Sequence, residues 1–227
     1  MPFRDLPERL ADVRSRIDDA VRRGGRGQAV TIVAVTKTYG PDAPCAAWEA
    51  GLKDVGENKV QEALGKIPKV DVPLRWHLIG HLQRNKVKQV DPFHLVHSMD
   101  SSRLADALAS YGVARDRPVE VLAQVNVSGE ETKGGYQPSM FEQEAERLAG
   151  VEGLTVRGVM TMAPFEADEG TLRAVFSNAR RCAEQLRAVG HPATELSMGM
   201  SGDYEVAVEE GATMVRLGTV LFGARSA

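Results

Sequence analysis

Eight short, strongly apolar segments recur along the chain and constrain its fold more than any other feature of the sequence. They are 30–37, 54–60, 75–80, 94–99, 119–127, 155–163, 194–199 and 214–223. Several are almost continuously apolar, which is typical of strands that are covered on both faces, as in parallel sheets. We therefore predict eight parallel strands.

Amphipathic helical segments separate these strands. Three of them, 100–112, 138–150 and 171–190, carry apolar residues at spacings of three and four and end at a glycine. The first also has a serine at its start, which predicts a side-chain N-cap. A further amphipathic helix, 6–25, precedes the first strand. The helices after strands two, three and seven are expected to be short.

Alternating strands and helices over about 200 residues favour one α/β fold, a single (β/α)8 TIM barrel with an extra N-terminal helix. We expect the whole chain, 1–227, to form this one domain. An open, doubly wound sheet is the alternative, because periodicity alone does not show whether the sheet closes.

Composition excludes several classes of protein. A net charge of -3 and a pI near 6.0 argue against a general binder of nucleic acid or membranes. No apolar segment approaches the length of about 18 residues that a membrane span requires, and the charged N-terminus does not resemble a signal peptide. We expect a water-soluble, cytoplasmic protein.

Lys37 ends the first predicted strand, at the carboxyl end where (β/α)8 barrels carry functional residues. Loss of hydration near a barrel mouth favours a neutral amine, which can act as a nucleophile and form a Schiff base with an aldehyde. A lysine that only extends into solvent is the alternative at this position.

The segments after strands seven and eight have features of a phosphate site. Ser201 lies among small residues before a short helix predicted to start near Asp203, where free N–H groups favour an anion. Gly218 and Thr219 allow close approach of the backbone and add a hydroxyl. Glycines that only serve tight turns are the alternative. Loops after strands seven and eight commonly bind phosphate in such barrels, so together with Lys37 they predict pyridoxal 5′-phosphate (PLP) as cofactor.

Arg216 is a charged residue within the apolar eighth strand, where it requires a partner. A guanidinium remains protonated, so next to a pyridine nitrogen it would keep that nitrogen unprotonated. The alternative is an ion pair with a core carboxylate such as Glu57. His77 and His81 are four residues apart but flank an apolar strand and its exit, so we do not predict a metal site there.

Six segments, in order, resemble the pyridoxal phosphate homeostasis proteins (the YggS/PROSC family) along almost the whole chain. These segments are AVTKTY, GENKVQEA, WHLIGHLQRNK, VNVSGEETKGG, GVMTMAP and LSMGMSGDYEVAVEEGATMVRLGTVLFGAR. The resemblance implies a barrel like the N-terminal domain of alanine racemase, with Lys37 as the lysine that forms the Schiff base. It also implies contacts of the cofactor with Asn58, His77, Ser201, Arg216, Gly218 and Thr219. The backbone of Met200 is a further candidate for the phosphate.

Two functions compete for such a barrel. A PLP-dependent amino-acid racemase needs a base on each face of its substrate, and in alanine racemases the second base is a tyrosine of a partner subunit beside a C-terminal β-domain. Here Tyr39 lies on the same loop as Lys37, and a chain that ends at Ala227 is expected to lack that domain. We therefore expect a monomeric, non-catalytic protein that holds PLP, supplies PLP-dependent apo-enzymes and serves vitamin B6 and amino-acid homeostasis.

Overall fold

A closed barrel of eight parallel strands forms the centre of the molecule. The structure is a computed structural model that describes residues 3–127 and 134–223. Each strand pairs with the next in parallel, and the first also pairs with the eighth, so the sheet closes. The predicted (β/α)8 barrel is confirmed, and the open sheet is wrong. The strands are β1 (Thr31–Val35), β2 (Asp54–Glu57), β3 (Arg75–Leu78), β4 (Leu95–Met99), β5 (Val119–Gln124), β6 (Leu154–Met160), β7 (Glu195–Ser197) and β8 (Met214–Leu217).

Helices surround this sheet and follow the predicted pattern. They are α1 (Leu6–Gly24), α2 (Asp42–Glu49), α3 (Val60–Lys66), α4 (Ser102–Ala114), α5 (Phe141–Ala149), α6 (Glu169–Ala188), α7 (Tyr204–Glu209) and α8 (Thr219–Phe222). The predicted N-terminal helix is confirmed as α1. It ends at Gly25, whose φ of 64° is left-handed and whose N–H donates to the carbonyl of Val21.

Two local predictions are wrong. The eighth strand was expected to extend to residue 223, but β8 stops at Leu217 because Gly218 leaves the extended conformation, with φ -117° and ψ -79°, and starts α8. Ser101 stands at the N-cap of α4, but its hydroxyl donates to the carboxylate of Asp100 at 3.1 Å and makes no hydrogen bond to the helix backbone.

Apolar residues fill two compartments. The larger core lies between the sheet and the helices, and the apolar face of α1 belongs to it. A small second cluster is formed by strand residues Leu95, Leu122, Met160 and Met214. Burying each such side chain contributes about 1.5–3 kcal/mol. Within the described part of the chain, no helix combines the length and apolar character needed to cross a membrane.

Candidate functional site

The residues predicted for the site follow the carboxyl ends of four strands that are consecutive around the barrel. Going round in the order β7, β8, β1 and β2, the segments after these strands carry Ser201, Gly218, Lys37 and Asn58, respectively. Carboxyl ends of parallel strands open on the same face of a barrel. The fold therefore brings these four positions onto one arc of the barrel mouth.

Direct contacts join three of these segments. The N–H of Val220 donates to Ser201 Oγ at 3.3 Å, which ties the loop after β7 to the residues after β8. A Cβ on Gly218 would lie 3.5 Å from Cβ of Val35, so the β8 exit packs on the end of β1, two residues before Lys37. The phosphate-site candidates and the candidate nucleophile thus belong to one packed unit.

The loop after β7 is closed by its own carboxylate. The N–H of Met200 donates to Asp203 Oδ1 at 2.5 Å, and the N–H groups of Asp203 and Tyr204 donate to the carbonyl of Met200 at 3.1 and 2.9 Å. Burial raises the pKa of Asp203, although the Met200 N–H and the charge of Arg216 oppose this. The Met200 N–H already has an acceptor in this conformation, so its contact with a phosphate stays a prediction.

Lys37 lies on a turn rather than on β1 itself. The next residue, Thr38, has a left-handed φ of 69°, a conformation that costs a non-glycine residue about 1–2 kcal/mol. The N–H of Thr38 donates to the carboxylate of Glu62 on α3, which holds the turn in this conformation. The backbone that carries Lys37 is therefore fixed on its C-terminal side.

A buried ion pair fixes the same turn on its N-terminal side. Lys66 Nζ donates to the carbonyl of Thr36 at 2.9 Å and to Glu57 Oε1 at 2.6 Å, and the Thr36 hydroxyl donates to Glu57 Oε1 at 2.6 Å. Burial raises the pKa of Glu57, while the hydrogen bonds from Lys66 and Thr36 oppose the shift. Lys66 and Glu62, both on α3, thus hydrogen-bond to the backbone of the residues immediately before and after Lys37.

Arg216 does not pair with Glu57, so that sequence-based alternative is wrong. Its Nη1 donates to the carbonyl and to Oγ of Ser197, both at 2.7 Å, and its Nη2 donates to the carbonyl of Thr161 at 2.8 Å. Burial lowers the pKa of Arg216 to about 10, against the opposing charge of Asp203, so the guanidinium stays protonated at neutral pH.

The hydrogen bonds of Arg216 leave part of its donor capacity unused. A guanidinium has five N–H groups, and within residues 3–127 and 134–223 the three hydrogen bonds described above are the ones that it makes. Because all three acceptors are neutral, the buried charge is solvated but not neutralised by direct contact. Two N–H groups remain that could donate to an acceptor of a ligand.

His77 does not join the group at the mouth. Its ring is completely buried, with Nε2 2.9 Å from Asp54 Oδ1 and Nδ1 2.9 Å from His97 Nε2. His97 and Ser197 therefore separate it from Arg216. Both ring nitrogens are engaged inside the barrel, so a contact of His77 with the cofactor stays a prediction.

His77 and His81, four residues apart in the chain, have separate partners. His81 is exposed, and its Nδ1 lies 2.9 Å from Asp100 Oδ2. Among the residues that the structure describes, no three histidine, cysteine, aspartate or glutamate side chains are grouped as metal ligands.

Sequence reasoning missed the polar residues that lead from Arg216 to the floor of the barrel. Ser197, His97 and Asp54 lie within buried strands, and a polar side chain in a buried strand requires a partner. The same signal drew attention to Arg216 and could have identified these three. No comparable signal exists for Lys66 and Glu62, which lie on a helix where charged residues are common.

The chain is similar to known proteins over almost its whole length. The family model "Alanine racemase, N-terminal domain" matches residues 9–226. The pyridoxal phosphate homeostasis protein of Aquifex aeolicus is 41% identical over 222 residues, covering 96% of this chain and 97% of that protein. PipY of Synechococcus elongatus, solved with PLP bound, is 35% identical with a TM-score of 0.84 and covers 96% of this chain and 100% of its own.

Alanine racemase of Clostridium difficile shares the fold at greater distance. It is 14% identical, with a TM-score of 0.78 over 99% of this chain and 58% of its own. At that identity the likeness concerns the fold alone. The near full-length match at 41% identity, together with the family model, shows that the chain belongs to the pyridoxal phosphate homeostasis proteins, a family built on the alanine racemase N-terminal domain.

Proposed function

We propose that the chain holds PLP covalently through Lys37 and acts as a carrier in vitamin B6 and amino-acid homeostasis, without catalytic turnover. The observation that carries the proposal is Arg216, a buried cation on neutral acceptors with two N–H groups to spare, on the strand next to the one that leads to Lys37. The PLP-bound structure of PipY and the naming of the curated relatives support it.

Lys37 would supply the covalent link. In its neutral form its amine attacks the aldehyde carbon, and loss of water leaves a carbon–nitrogen double bond. The anchors on Thr36 and Thr38 fix the backbone on both sides of the lysine, so the amine is presented at the mouth with little backbone freedom to lose. This preorganisation lowers the entropic cost of forming the link.

The phosphate would lie against the exits of β7 and β8. Ser201 and Thr219 offer hydroxyl donors, and the N–H of Val220 points at Ser201 Oγ. Gly218 has no side chain, so its partly exposed backbone is open to close approach by the phosphate. Asn58 lies at the opposite end of the arc, where its amide could donate to the ring substituents.

Arg216 would hold the pyridine nitrogen. Its remaining N–H groups donate, and a protonated guanidinium cannot accept, so the nitrogen remains unprotonated. Bound PLP supplies an electron sink, and without a proton on the ring that sink is weak. This arrangement favours storage of the cofactor over chemistry at an amino-acid substrate.

Tyr39 is poorly placed to serve as a second base. Its ring packs against the rings of Phe3 and Phe222, with centroid separations of 5.4 Å to each. Because two-base racemisation requires a mobile acid or base on the face opposite the lysine, a tyrosine held in an aromatic cluster behind the lysine turn favours the carrier over the racemase.

Absorbance and covalent trapping test the cofactor site. The purified protein with PLP should show a band of a protonated Schiff base, which borohydride bleaches while fixing the cofactor on the peptide that contains Lys37. The variant Lys37→Ala should abolish trapping. Lys53→Ala is the matched control, because Lys53 precedes β2 at the other end of the barrel and should leave trapping intact. Unchanged trapping in Lys37→Ala would refute the assignment.

The carrier function needs a separate measurement. A sensitive assay of D/L interconversion over many amino acids should give no turnover above background, while the loaded protein should reactivate a PLP-dependent apo-enzyme. We propose that the carrier is a monomer, which sedimentation at several concentrations tests. Robust racemisation that disappears in Lys37→Ala would support the racemase instead.

A further inference from the structure

Five buried side chains form one continuous hydrogen-bonded file through the barrel. Asp54, His77, His97 and Ser197 are linked by three contacts of 2.9 Å each, and Ser197 Oγ accepts from Arg216 at 2.7 Å. Each of these residues is at most 5% exposed. The file joins an aspartate at the start of β2 to the arginine proposed to contact the cofactor.

This file crosses the lumen of the barrel. His97 lies on β4 and Ser197 on β7, which are not neighbours in the closed sheet, so a contact of 2.9 Å between them must span the interior. Asp54 opens β2 and therefore lies at the floor, the end opposite the mouth. The floor and the candidate cofactor site are thus connected by direct contacts.

The two ends of the file determine its direction. Arg216 can only donate, and an ionised Asp54 can only accept. With both histidines neutral, Ser197 must donate to His97 Nδ1, His97 Nε2–H to His77 Nδ1, and His77 Nε2–H to Asp54. The reverse direction would require a cationic His77, since a neutral one would present a lone pair to the carboxylate.

Two observations support a neutral His97. Burial lowers the pKa of His97 well below its ordinary value, and the charge of Arg216 lowers it further. Both ring nitrogens of His97 contact other members of the file, and no carboxylate among the described residues contacts this ring. The exposed His94 ring packs edge-on against His77 with centroids 5.6 Å apart and makes no hydrogen bond within it.

We propose that Asp54, His77 and His97 are positioning residues for Arg216. By fixing the direction of the file, they turn the lone pair of Ser197 Oγ toward the guanidinium and so orient its two remaining N–H groups toward the ring of the cofactor. This inference rests on the proposed cofactor site at the mouth, and it assigns to three floor and lumen residues an effect that reaches the ligand through Arg216.

The floor end of the file is open to experimental change. Arg75 binds Asp54 through two hydrogen bonds, of 2.7 and 2.5 Å, and its side chain is half exposed. Arg75 and Asp54 also line a cavity of about 670 Å³ between the barrel floor and α1. A substitution at Arg75 therefore perturbs the file without altering the mouth.

Nitrogen-15 NMR of the histidine rings in the full, ligand-free chain tests the direction of the file. His77 and His97 should both be neutral with the proton on Nε2, and His94→Gln should leave both unchanged. Asp54→Asn replaces the acceptor with an amide that can also donate, so a second tautomer of His97 should appear. A proton on Nδ1 of His97 in the unaltered chain would overturn the inference.

PLP binding tests the coupling to Arg216. Asp54→Asn should weaken binding about tenfold and shift the absorption maximum of the bound cofactor. Arg75→Gln should change both quantities in the same direction but less. His94→Gln should change neither the affinity nor the absorption maximum. Unchanged affinity and spectrum in Asp54→Asn, or in Arg75→Gln if the former does not fold, would overturn the coupling. Failure of trapping at Lys37 would instead refute the proposed function, while the tautomers remained as stated.

Discussion

Two buried cations lie on opposite sides of the barrel wall and are stabilised in different ways. Lys66, 4% exposed, faces β2 from α3 and contacts the carboxylates of Glu57 and Glu62 at 2.6 and 3.3 Å. Arg216, 5% exposed, lies inside the barrel and contacts one hydroxyl and two carbonyl groups. One charge is neutralised by contact, and the other is only solvated.

The difference indicates where a ligand can act. A buried charge is costly unless it is paired and hydrogen-bonded, so the carboxylates offset the charge of Lys66, although Glu57 Oε2 has no hydrogen-bond partner in the described part of the chain. Arg216 keeps a positive charge that no directly contacting carboxylate offsets, and it has two N–H groups without an acceptor in the described part of the chain. A ligand atom that accepts hydrogen bonds could interact with both. Lys66 therefore shapes the turn of Lys37, whereas Arg216 is available for the cofactor.

The largest expected effect on stability comes from breaking the buried ion pair of Lys66 and Glu57. Lys66→Met leaves Glu57 buried without its cation, so the free energy of unfolding should fall by about 3–5 kcal/mol, measured by urea denaturation. The double variant Lys66→Met/Glu57→Leu should regain most of this loss, because neither charge remains. A loss below about 1 kcal/mol in the single variant would show that Lys66 does not offset the buried charge of Glu57.

A smaller change in stability is expected at the other cation. Arg216→Gln leaves no carboxylate without a directly paired cation. The free energy of unfolding should therefore fall by about 2 kcal/mol or less, because only neutral acceptors lose a donor. PLP binding should nevertheless weaken at least about tenfold, because a neutral amide replaces the guanidinium. The comparison fails if Arg216→Gln destabilises as much as Lys66→Met while binding is unchanged.

The smallest expected effect is on the pH dependence of stability below about pH 5, where Asp54 in the file and Glu57 in the ion pair should contribute with opposite sign. Burial raises the pKa of Asp54, but hydrogen bonds from His77 and Arg75 outweigh it, so the pKa lies below its ordinary value. The folded state then binds this proton more weakly than the unfolded state. The stabilisation is present above about pH 4 and is lost as pH falls through the lowered pKa.

Denaturation between about pH 5 and about pH 3 measures this contrast. Asp54→Asn should flatten the loss of stability on acidification. Glu57, whose pKa is raised by burial, binds its proton more tightly when folded, so it adds stability as pH falls, and Glu57→Gln should steepen the loss. Changes in slope, relative to the unaltered chain, that have the same sign in the two variants would contradict the assigned directions.

The positions at the mouth could be predicted because strand ends are local features. Lys37 ends a segment whose apolar pattern marks a strand, and Gly218 breaks such a segment with a glycine; parallel strands place their carboxyl ends together. The loop motifs also sufficed to identify the family. For these residues, local pattern and a general rule about barrels were enough.

The partner of a buried group could not be predicted in the same way. Glu57 was considered for Arg216 because both are charged residues in apolar strands, yet its side chain meets Lys66 on α3. His77 was assigned to the cofactor, yet its ring faces Asp54 and His97. Which face of the sheet a residue occupies depends on register, and a shift of one position reverses it.

The sequence by itself determined the number of strands, the helices between them, the family and the candidate residues near the ends of the first, second, seventh and eighth strands, since each depends on residues close together along the chain. Only the tertiary structure decided that β1 closes on β8 and that His97 meets Ser197, 100 residues away, across the lumen. Such contacts exist because closure brings the inward faces of distant strands within hydrogen-bonding distance, a condition that no local pattern encodes.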